Sequence, residues 1–256
     1  MSVAEKLTEI AENVPKVFEA GVAQGYENGY AEGHEEGVRS TGFWAKYQQK
    51  GRRKNYDRAF ANPDEYDAGW YIKDFKPEYN MRPDSAFYMF RGIHGERGEV
   101  DLVEVLKEQG VTLDFGNCKD LCRAFGNTNV IRHVGEIDAH SADDVRYLFY
   151  ENSGIQTVDK LIVKKSHIFT GAFSHCFSLE HIIFEGEIGN TIQFHRYTTG
   201  LDLESIVSIV DALCADVTGK SVYFGTDNIK RVFGSVDSPT WLALVDSKPN
   251  WSFVLA

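Results

Sequence analysis

Three stretches of the chain share one pattern and decide its fold: LCRAFGNTNVIRHVGEID (residues 121–138), VRYLFYENSGIQTVDKLI (residues 145–162) and FTGAFSHCFSLEHIIFEG (residues 169–186). Each contains a phenylalanine, and Phe125, Phe149 and Phe173 are 24 residues apart. The apolar residues around them recur in register; the matched core positions are Leu121, Val145 and Phe169, then Ala124, Leu148 and Ala172, and after the phenylalanines Ile131, Ile155 and Leu179. A fixed period of this length is typical of a solenoid, in which each unit buries its apolar residues against its neighbours.

The repeat pattern predicts a short α/β solenoid over residues 92–200. Its predicted core contains the residues Leu121, Phe125, Val145, Phe149, Phe169, Phe173 and Leu179. We expect the three phenylalanines to stack as a column inside it. Short strands are predicted at Thr112–Phe115, Val134–Asp138, Lys160–Val163 and His181–Glu185, and a helical turn at Leu102–Gln109.

The pattern changes after Leu201. Apolar residues over 203–213 have helical spacing, with Asp202 as the candidate N-cap. A strand is predicted at Ser221–Phe224, a short helix beginning at Ser238 and Pro239, and a final strand at Ser252–Leu255. These elements predict that residues 201–256 form a helix–strand C-terminal cap on the solenoid.

The first forty residues predict a helical stalk for oligomerisation or attachment. Residues 4–18 contain a heptad seam formed by Leu7, Ile10, Val14 and Val17. Pro15 interrupts this seam. One ordinary helix packed on the body of the protein is the alternative. The seam favours a coiled coil and a homo-oligomer, with a trimer as the preferred state.

Glycine recurs every four residues over 21–37, next to tyrosines; the positions assigned to the oligomerisation surface are Gly21, Gly25, Tyr26, Gly29, Tyr30 and Gly33. Five glycines inside a helix cost roughly 5 kcal/mol relative to alanine. Close packing of a neighbour against the glycine stripe could offset that cost. A flexible glycine-rich linker is the alternative interpretation.

Residues 41–91 are rich in aromatics and are predicted to form a connector between stalk and solenoid. A basic cluster lies inside this segment, at Lys50, Arg52, Arg53 and Lys54. Basic residues among aromatics can bind single-stranded nucleic acid. Five acidic residues follow within twenty positions, so there is no continuous basic track, and the net charge of −11 argues against a nucleic-acid partner in general.

Composition sets further limits. The 256-residue chain is 43% hydrophobic, as expected for a folded protein. We expect no secretory signal, because charged residues interrupt the first twenty positions, and no membrane span, because no apolar run reaches the ~18 residues needed. The four cysteines are too few and scattered for a disulfide scaffold and are expected to be buried thiols.

The repeat, with its A-F or L-F pair and later I/L, resembles short leucine-rich repeats of bacterial surface proteins and phage-borne genes. The opening KLTEIAENVPKVFEAG, the segment FWAKYQQKGRRKNYDRAFA with FKPEYNM after it, and the endings LESIVSIVDALCADVTGK and KPNWSFVL are similar to segments of phage and prophage proteins that contain such repeats. The resemblance covers most of the chain. It implies a structural protein of a phage tail or baseplate, located in the virion or in a tail-like particle, with other tail or baseplate proteins and a host cell-surface receptor as partners.

The sequence offers no convincing catalytic site, metal site or cofactor. It lacks G-x-S-x-G, GxxxxGK[ST], HExxH and GxGxxG. A shared zinc site for His175, Cys176 and His181 is disfavoured, because the first two fall in a predicted turn and the third in a strand. We therefore expect a non-enzymatic tail or baseplate subunit that binds a receptor. A bacterial cell-surface adhesin, or a protein-interaction scaffold, is the alternative.

Overall fold

The structure is a computed structural model that describes Tyr56 and residues 80–92, 99–194, 197–198 and 200–256. The predicted stalk over residues 1–40, including every residue of its seam and glycine stripe, lies outside the described residues. So does most of the predicted connector. The described part of the chain is a mixed α/β fold with two parallel sheets and four helices.

The first sheet has four parallel strands in chain order. They are β1 (Val100–Asp101), β2 (Ile131–Asp138), β3 (Thr157–Val163) and β4 (His181–Gly186), with helix α1 (Leu102–Gln109) directly after β1. Thr157 pairs with both His133 and His181, which lie 24 positions before and after it. The 24-residue period of the sequence is therefore the register of β2 with β3 and of the first residues of β4, beyond which an irregularity between Val158 and Leu161 shifts the pairing by one residue.

The second sheet has three strands, which are also parallel and in chain order, with helices between them. The elements are β5 (Ile192–Gln193), helix α2 (Leu203–Ala212), β6 (Lys220–Phe224), helix α3 (Thr226–Phe233), helix α4 (Pro239–Asp246) and β7 (Trp251–Leu255). None of the helices in the described residues is long and apolar enough to cross a lipid bilayer.

A row of stacked phenylalanines extends from the first sheet into the second. Its members are Phe90, Phe125, Phe149, Phe173, Phe194 and Phe224, whose successive ring centroids are 4.8 to 5.8 Å apart with planes inclined by no more than 28°. The predicted stacking of Phe125, Phe149 and Phe173 is confirmed. The row is longer than predicted and ends against Trp241, whose ring meets Phe224 edge-on at 5.9 Å.

A second row, of buried polar residues, follows the first. Thr128, Asn152 and Cys176 each lie three positions after a phenylalanine of the row and are fully buried. The Asn152 amide donates to the Phe125 carbonyl at 3.1 Å, and the Cys176 thiol donates to the Phe149 carbonyl at 3.1 Å. The Asn152 and Cys176 side chains thus each donate to a buried carbonyl of the preceding unit, and the Phe149 carbonyl accepts from the Asn152 backbone amide as well.

Helix α2 closes the edge of the first sheet. Its N-cap is Asp202, as predicted, whose carboxylate accepts from the Ser205 amide at 2.8 Å. On the same helix, the hydroxyl of Ser205 accepts from the Ile182 amide at 2.9 Å, and that of Ser208 from the Phe184 amide at 2.8 Å. Serine side chains therefore take the place of a fifth strand.

Several element predictions need correction. No strand forms at Thr112–Phe115, where Leu113 makes one isolated bridge with Met81. Strands β2 and β3 each begin three residues earlier than predicted, because Arg132, His133 and Asp159 fall at exposed or half-exposed places inside them. Helix α3 was missed, because its N-cap is Gly225, which offers no side-chain capping bond.

Candidate interaction surface

Each unit places two residues in the left-handed backbone region, in the turn around its phenylalanine. Arg123 and Tyr147, 24 residues apart, have φ of 55° and 58°, and Tyr88, at the corresponding place beside Phe90, has φ of 57°. A second set, Glu151 and His175, has φ of 56° and 63°. This conformation costs a residue other than glycine roughly 1–2 kcal/mol. Bulky side chains at these places are therefore held against a backbone preference.

Aspartates fix these turns locally. The Asp120 carboxylate accepts from the amide of Cys122 at 2.8 Å, and the Asp144 carboxylate accepts from the amide of Arg146 at 2.9 Å. Asp120 and Asp144 are themselves paired by a parallel bridge. Each side-chain bond replaces a turn hydrogen bond, which is a common use of aspartate.

The left-handed side chains meet on the outside of the turns. The guanidinium of Arg123 lies 4.7 Å from the ring centroid of Tyr147, 5.1 Å from that of Tyr150 and 5.6 Å from that of Tyr88. The guanidinium of Arg91 lies 4.7 Å from the Tyr88 centroid. Each such cation–π contact contributes about 0.5–2 kcal/mol, depending on how far it is removed from water.

The ring contacts continue into the following units. Tyr150 meets His175 at 6.1 Å, His175 meets Phe177 at 5.5 Å, and Phe177 meets Tyr197 at 6.3 Å between centroids. Phe177 is 41% exposed and Tyr197 57% exposed. We name this continuous set the turn surface; its residues are Tyr88, Arg91, Arg123, Tyr147, Tyr150, His175, Phe177 and Tyr197.

Gly171 belongs to the same left-handed column as Arg123 and Tyr147, with φ of 64°. A Cβ atom on Gly171 would lie 2.5 Å from the Tyr147 ring. The Tyr147 ring therefore occupies the space that a side chain at position 171 would need, so such a side chain would displace it.

Charge on the turn surface is locally unbalanced. Among the described residues, no carboxylate lies within ion-pair distance of the Arg123 guanidinium, which is half-buried among rings. By contrast, Arg146 forms an ion pair with Asp144 at 2.6 Å, and this contact raises the pKa of Arg146. A hydrogen bond to Glu151 raises the pKa of the Tyr150 hydroxyl, so this phenol stays neutral. The surface combines rings with a guanidinium whose charge is not neutralised by a described carboxylate.

A possible metal cluster lies near these turns but is used otherwise. Asp120, Cys122 and Asp144 are the one group of three within the described ranges whose ligand atoms lie close enough to share an ion. Burial, followed by the charges of Asp144 and Asp120, raises the pKa of the Cys122 thiol to about 11. The thiolate that a metal requires is therefore disfavoured, and Arg146 already occupies the Asp144 carboxylate.

The histidines considered in the sequence have separate partners. His181, at the start of β4, contacts Asp202 at 2.8 Å, whereas the buried Cys176 thiol, whose pKa is raised by burial, donates to a carbonyl. His133 lies between two carboxylates, with Asp101 at 2.8 Å from Nδ1 and Asp159 at 2.8 Å from Nε2. The repeat pattern of the sequence did not predict this cross-strand ion pair.

The predicted core residues are buried, whereas the turn surface lies on the outside of the protein. Leu121, Val145, Phe169 and Leu179 are buried beside the phenylalanine row and serve as scaffold. The turn surface has one signal in the sequence: Tyr88, Arg123 and Tyr147 each stand two residues before a phenylalanine of the row.

No protein-family model, curated protein or solved structure matches this chain. The case for its function therefore depends on the sequence pattern and on the turn surface.

Proposed function

We propose that the chain is a non-enzymatic structural subunit of a phage tail or tail-like particle that binds a partner through its turn surface. In this proposal residues 92–200 are a leucine-rich-repeat-type solenoid, residues 201–256 are its cap, and residues 1–40 attach it to the particle as a homo-oligomer. Distal adhesion or baseplate decoration is the corresponding role, with a host cell-surface receptor as partner.

The turn surface is the observation that carries the binding role. Tyrosine, arginine and phenylalanine are among the side chains enriched where protein interfaces are buried, and arginine and tyrosine are among those enriched at positions that contribute most to binding energy. Here such residues come from successive units and touch in an unbroken series from Arg91 to Tyr197. A rigid ladder of backbone hydrogen bonds and stacked rings supports them, so little ordering would be needed on binding.

The particle location is tested by electron microscopy of purified particles labelled with an antibody raised against residues 201–256. Gold at the tail tip or baseplate is the expected result. Label confined to the surface of the producing bacterium would instead support the alternative, a cell-surface adhesin, which the same exposed aromatic surface would suit.

The attachment role is tested by light scattering on the purified full chain at micromolar concentration. We expect the mass of an oligomer, with a trimer preferred, and a monomer mass after Leu7→Asp and Val14→Asp are introduced together. A monomer for the unaltered chain would contradict self-association through the seam.

A further inference from the structure

Three large side chains occupy positions where glycine would cost the backbone nothing. Tyr88, Arg123 and Tyr147 all have positive φ, and the next member of this column is Gly171. None of the three points into the phenylalanine row; they form the arginine–tyrosine contacts of the turn surface instead. Strained backbone is usually retained where the side chain has a task outside folding.

The edge of the Arg123 guanidinium is the chemically specific part of the surface. The rings of Tyr88, Tyr147 and Tyr150 surround this group, with centroids 4.7 to 5.6 Å from its central carbon. A stacked guanidinium still has its in-plane N–H groups, which match the two oxygens of a carboxylate. Within the part of the chain that the structure describes, no carboxylate takes this place, and a carboxylate supplied by a partner would fit it.

The other end of the surface is apolar. Phe177 and Tyr197 are among the large hydrophobic residues with substantial exposure, and they contact each other. They belong to the second and third units after that of Arg123, so about 10–15 Å separate the two ends at the usual strand spacing. An extended peptide covers that distance with about four residues.

We infer that the turn surface binds an extended acidic segment of a partner protein, with a carboxylate on Arg123 and an apolar side chain on Phe177 and Tyr197. The inference rests on the proposed function, since it names the class of partner that the binding subunit recognises. A nucleic acid is disfavoured because the chain carries a net charge of −11.

The test is a selection of random twelve-residue peptides, displayed on their messenger RNA, against the immobilised full-length chain. Enriched peptides should share an aspartate or glutamate and, about four residues away, an aromatic or large aliphatic residue. Fluorescence anisotropy should then show that Arg123→Gln weakens binding at least about tenfold, the loss expected for one charge-assisted hydrogen bond. Replacing the peptide's acidic residue by its amide should weaken binding equally. Arg123→Gln combined with this amide peptide should weaken binding little more than either change alone.

Arg146→Gln is the control, because it removes a like charge from the turn one unit later, one position before the place equivalent to Arg123, where Asp144 already pairs it. Binding should change less than about twofold in this variant. Arg123→Lys keeps the charge without the planar fork and should lose part of the affinity, while Tyr197→Ser should abolish the apolar preference alone. Thermal melts of each variant exclude unfolding as the cause.

Each remaining outcome overturns the inference. A selection without binders or without an acidic preference, or an equal effect of Arg123→Gln and Arg146→Gln, would remove the carboxylate contact. Binding of polygalacturonate, but not of its methyl ester, in an Arg123-dependent way would assign the surface to acidic glycans. A lower oligomer mass for Arg123→Gln would assign it to a second copy of the chain. The label position on the particle is independent of these results, so failure of the partner class can be distinguished from failure of the proposed function.

Discussion

The regular region, residues 121–186, repeats every 24 residues, whereas the irregular region, residues 188–256, has no fixed period. Successive phenylalanines of the row are 24 residues apart in the first, but 21 residues separate Phe173 from Phe194 and 30 separate Phe194 from Phe224. The ring spacing nevertheless stays between 4.8 and 5.8 Å across both regions. Ring and strand geometry therefore sets the stacking distance, and the length of chain between rings is free to vary.

The two regions also differ in how they satisfy buried groups. In the regular region the buried Phe125 carbonyl accepts from one side chain, that of Asn152. In the irregular region the Leu201 carbonyl accepts from both Asn228 and Arg231. In the regular region a buried carbonyl can thus be satisfied by one side-chain donor. Outside it, side chains near helices α2 to α4 supply additional donors.

The largest expected effect is on the row itself. Phe149→Ala should lower the free energy of unfolding by about 3–5 kcal/mol, because the rings of Phe125 and Phe173 lose a stacking partner on either side. Phe224→Ala should fall in the same range if the row is continuous. Urea unfolding measures both, with the partly exposed Phe177→Ala as a control that should cost much less. A loss below about 1 kcal/mol for Phe149→Ala would contradict the stacked core. If only Phe224→Ala showed such a small loss, the stabilising stack would be confined to the regular region.

A smaller effect should follow from a methyl group at the end of β4. Gly186 has φ of 95°, and a Cβ atom there would lie 2.1 Å from the Val163 carbonyl oxygen of the neighbouring strand. Gly186→Ala should therefore cost about 2–4 kcal/mol, since backbone must move.

Gly234 is the matched position in the irregular region, with φ of 82° and open space around its Cβ direction. Gly234→Ala should cost only the backbone strain, about 1–2 kcal/mol. Equal melting temperatures for the two variants would show that the units do not pack as closely as the regular register implies.

The polar row offers a third comparison. Asn152→Ala should cost about 1–3 kcal/mol, since it removes the donor to the buried Phe125 carbonyl. Asn228→Ala should cost less, because Arg231 still donates to the Leu201 carbonyl. Chemical denaturation of both variants measures the difference, and a larger loss for Asn228→Ala would contradict the single-donor interpretation.

The smallest expected effect is a pH dependence confined to the regular region. Burial acts to lower the pKa of His133, but hydrogen bonds to Asp101 and Asp159 outweigh it and raise this pKa. A raised folded-state pKa means that the stabilisation is complete below the unfolded value of about 6.5 and is lost as pH rises through the folded pKa. The loss should be at most about 1 kcal/mol, because Asp159 is half-exposed.

The control for this prediction is His133→Gln. The difference in unfolding free energy between the unaltered chain and this variant should decrease as pH rises above about 6.5. Taking the difference also removes the contribution of His167, whose pKa burial lowers and whose destabilisation therefore grows toward acid pH. A difference that increases with pH would mean that His133 is not held as a cation.

The regular region was predictable because its residues repeat at one period. The equal spacing of Phe125, Phe149 and Phe173 indicated that they occupy equivalent positions. Phe90, Phe194 and Phe224 lie outside that period, and only three-dimensional stacking assigns them to the row. The turn surface was harder to predict for a different reason. Its members are polar or aromatic and change identity from unit to unit, and left-handed backbone at Arg123 or Tyr147 contradicts ordinary propensity. The carboxylate partners of His133 were missed because β2 and β3 begin three residues before their predicted starts, which left His133 and Asp159 outside the predicted strands.

The serine hydroxyls of α2 have a consequence for the newly made chain. Until Ser205 and Ser208 leave the ribosome, roughly twenty residues after β4, the outer edge of β4 has unbonded amides that another nascent chain could pair with. At ordinary synthesis rates that interval lasts about 1–5 s. Once the helix docks, the edge has no amide left at Ile182 or Phe184 for a foreign strand, so the vulnerable period belongs to translation and not to the finished protein.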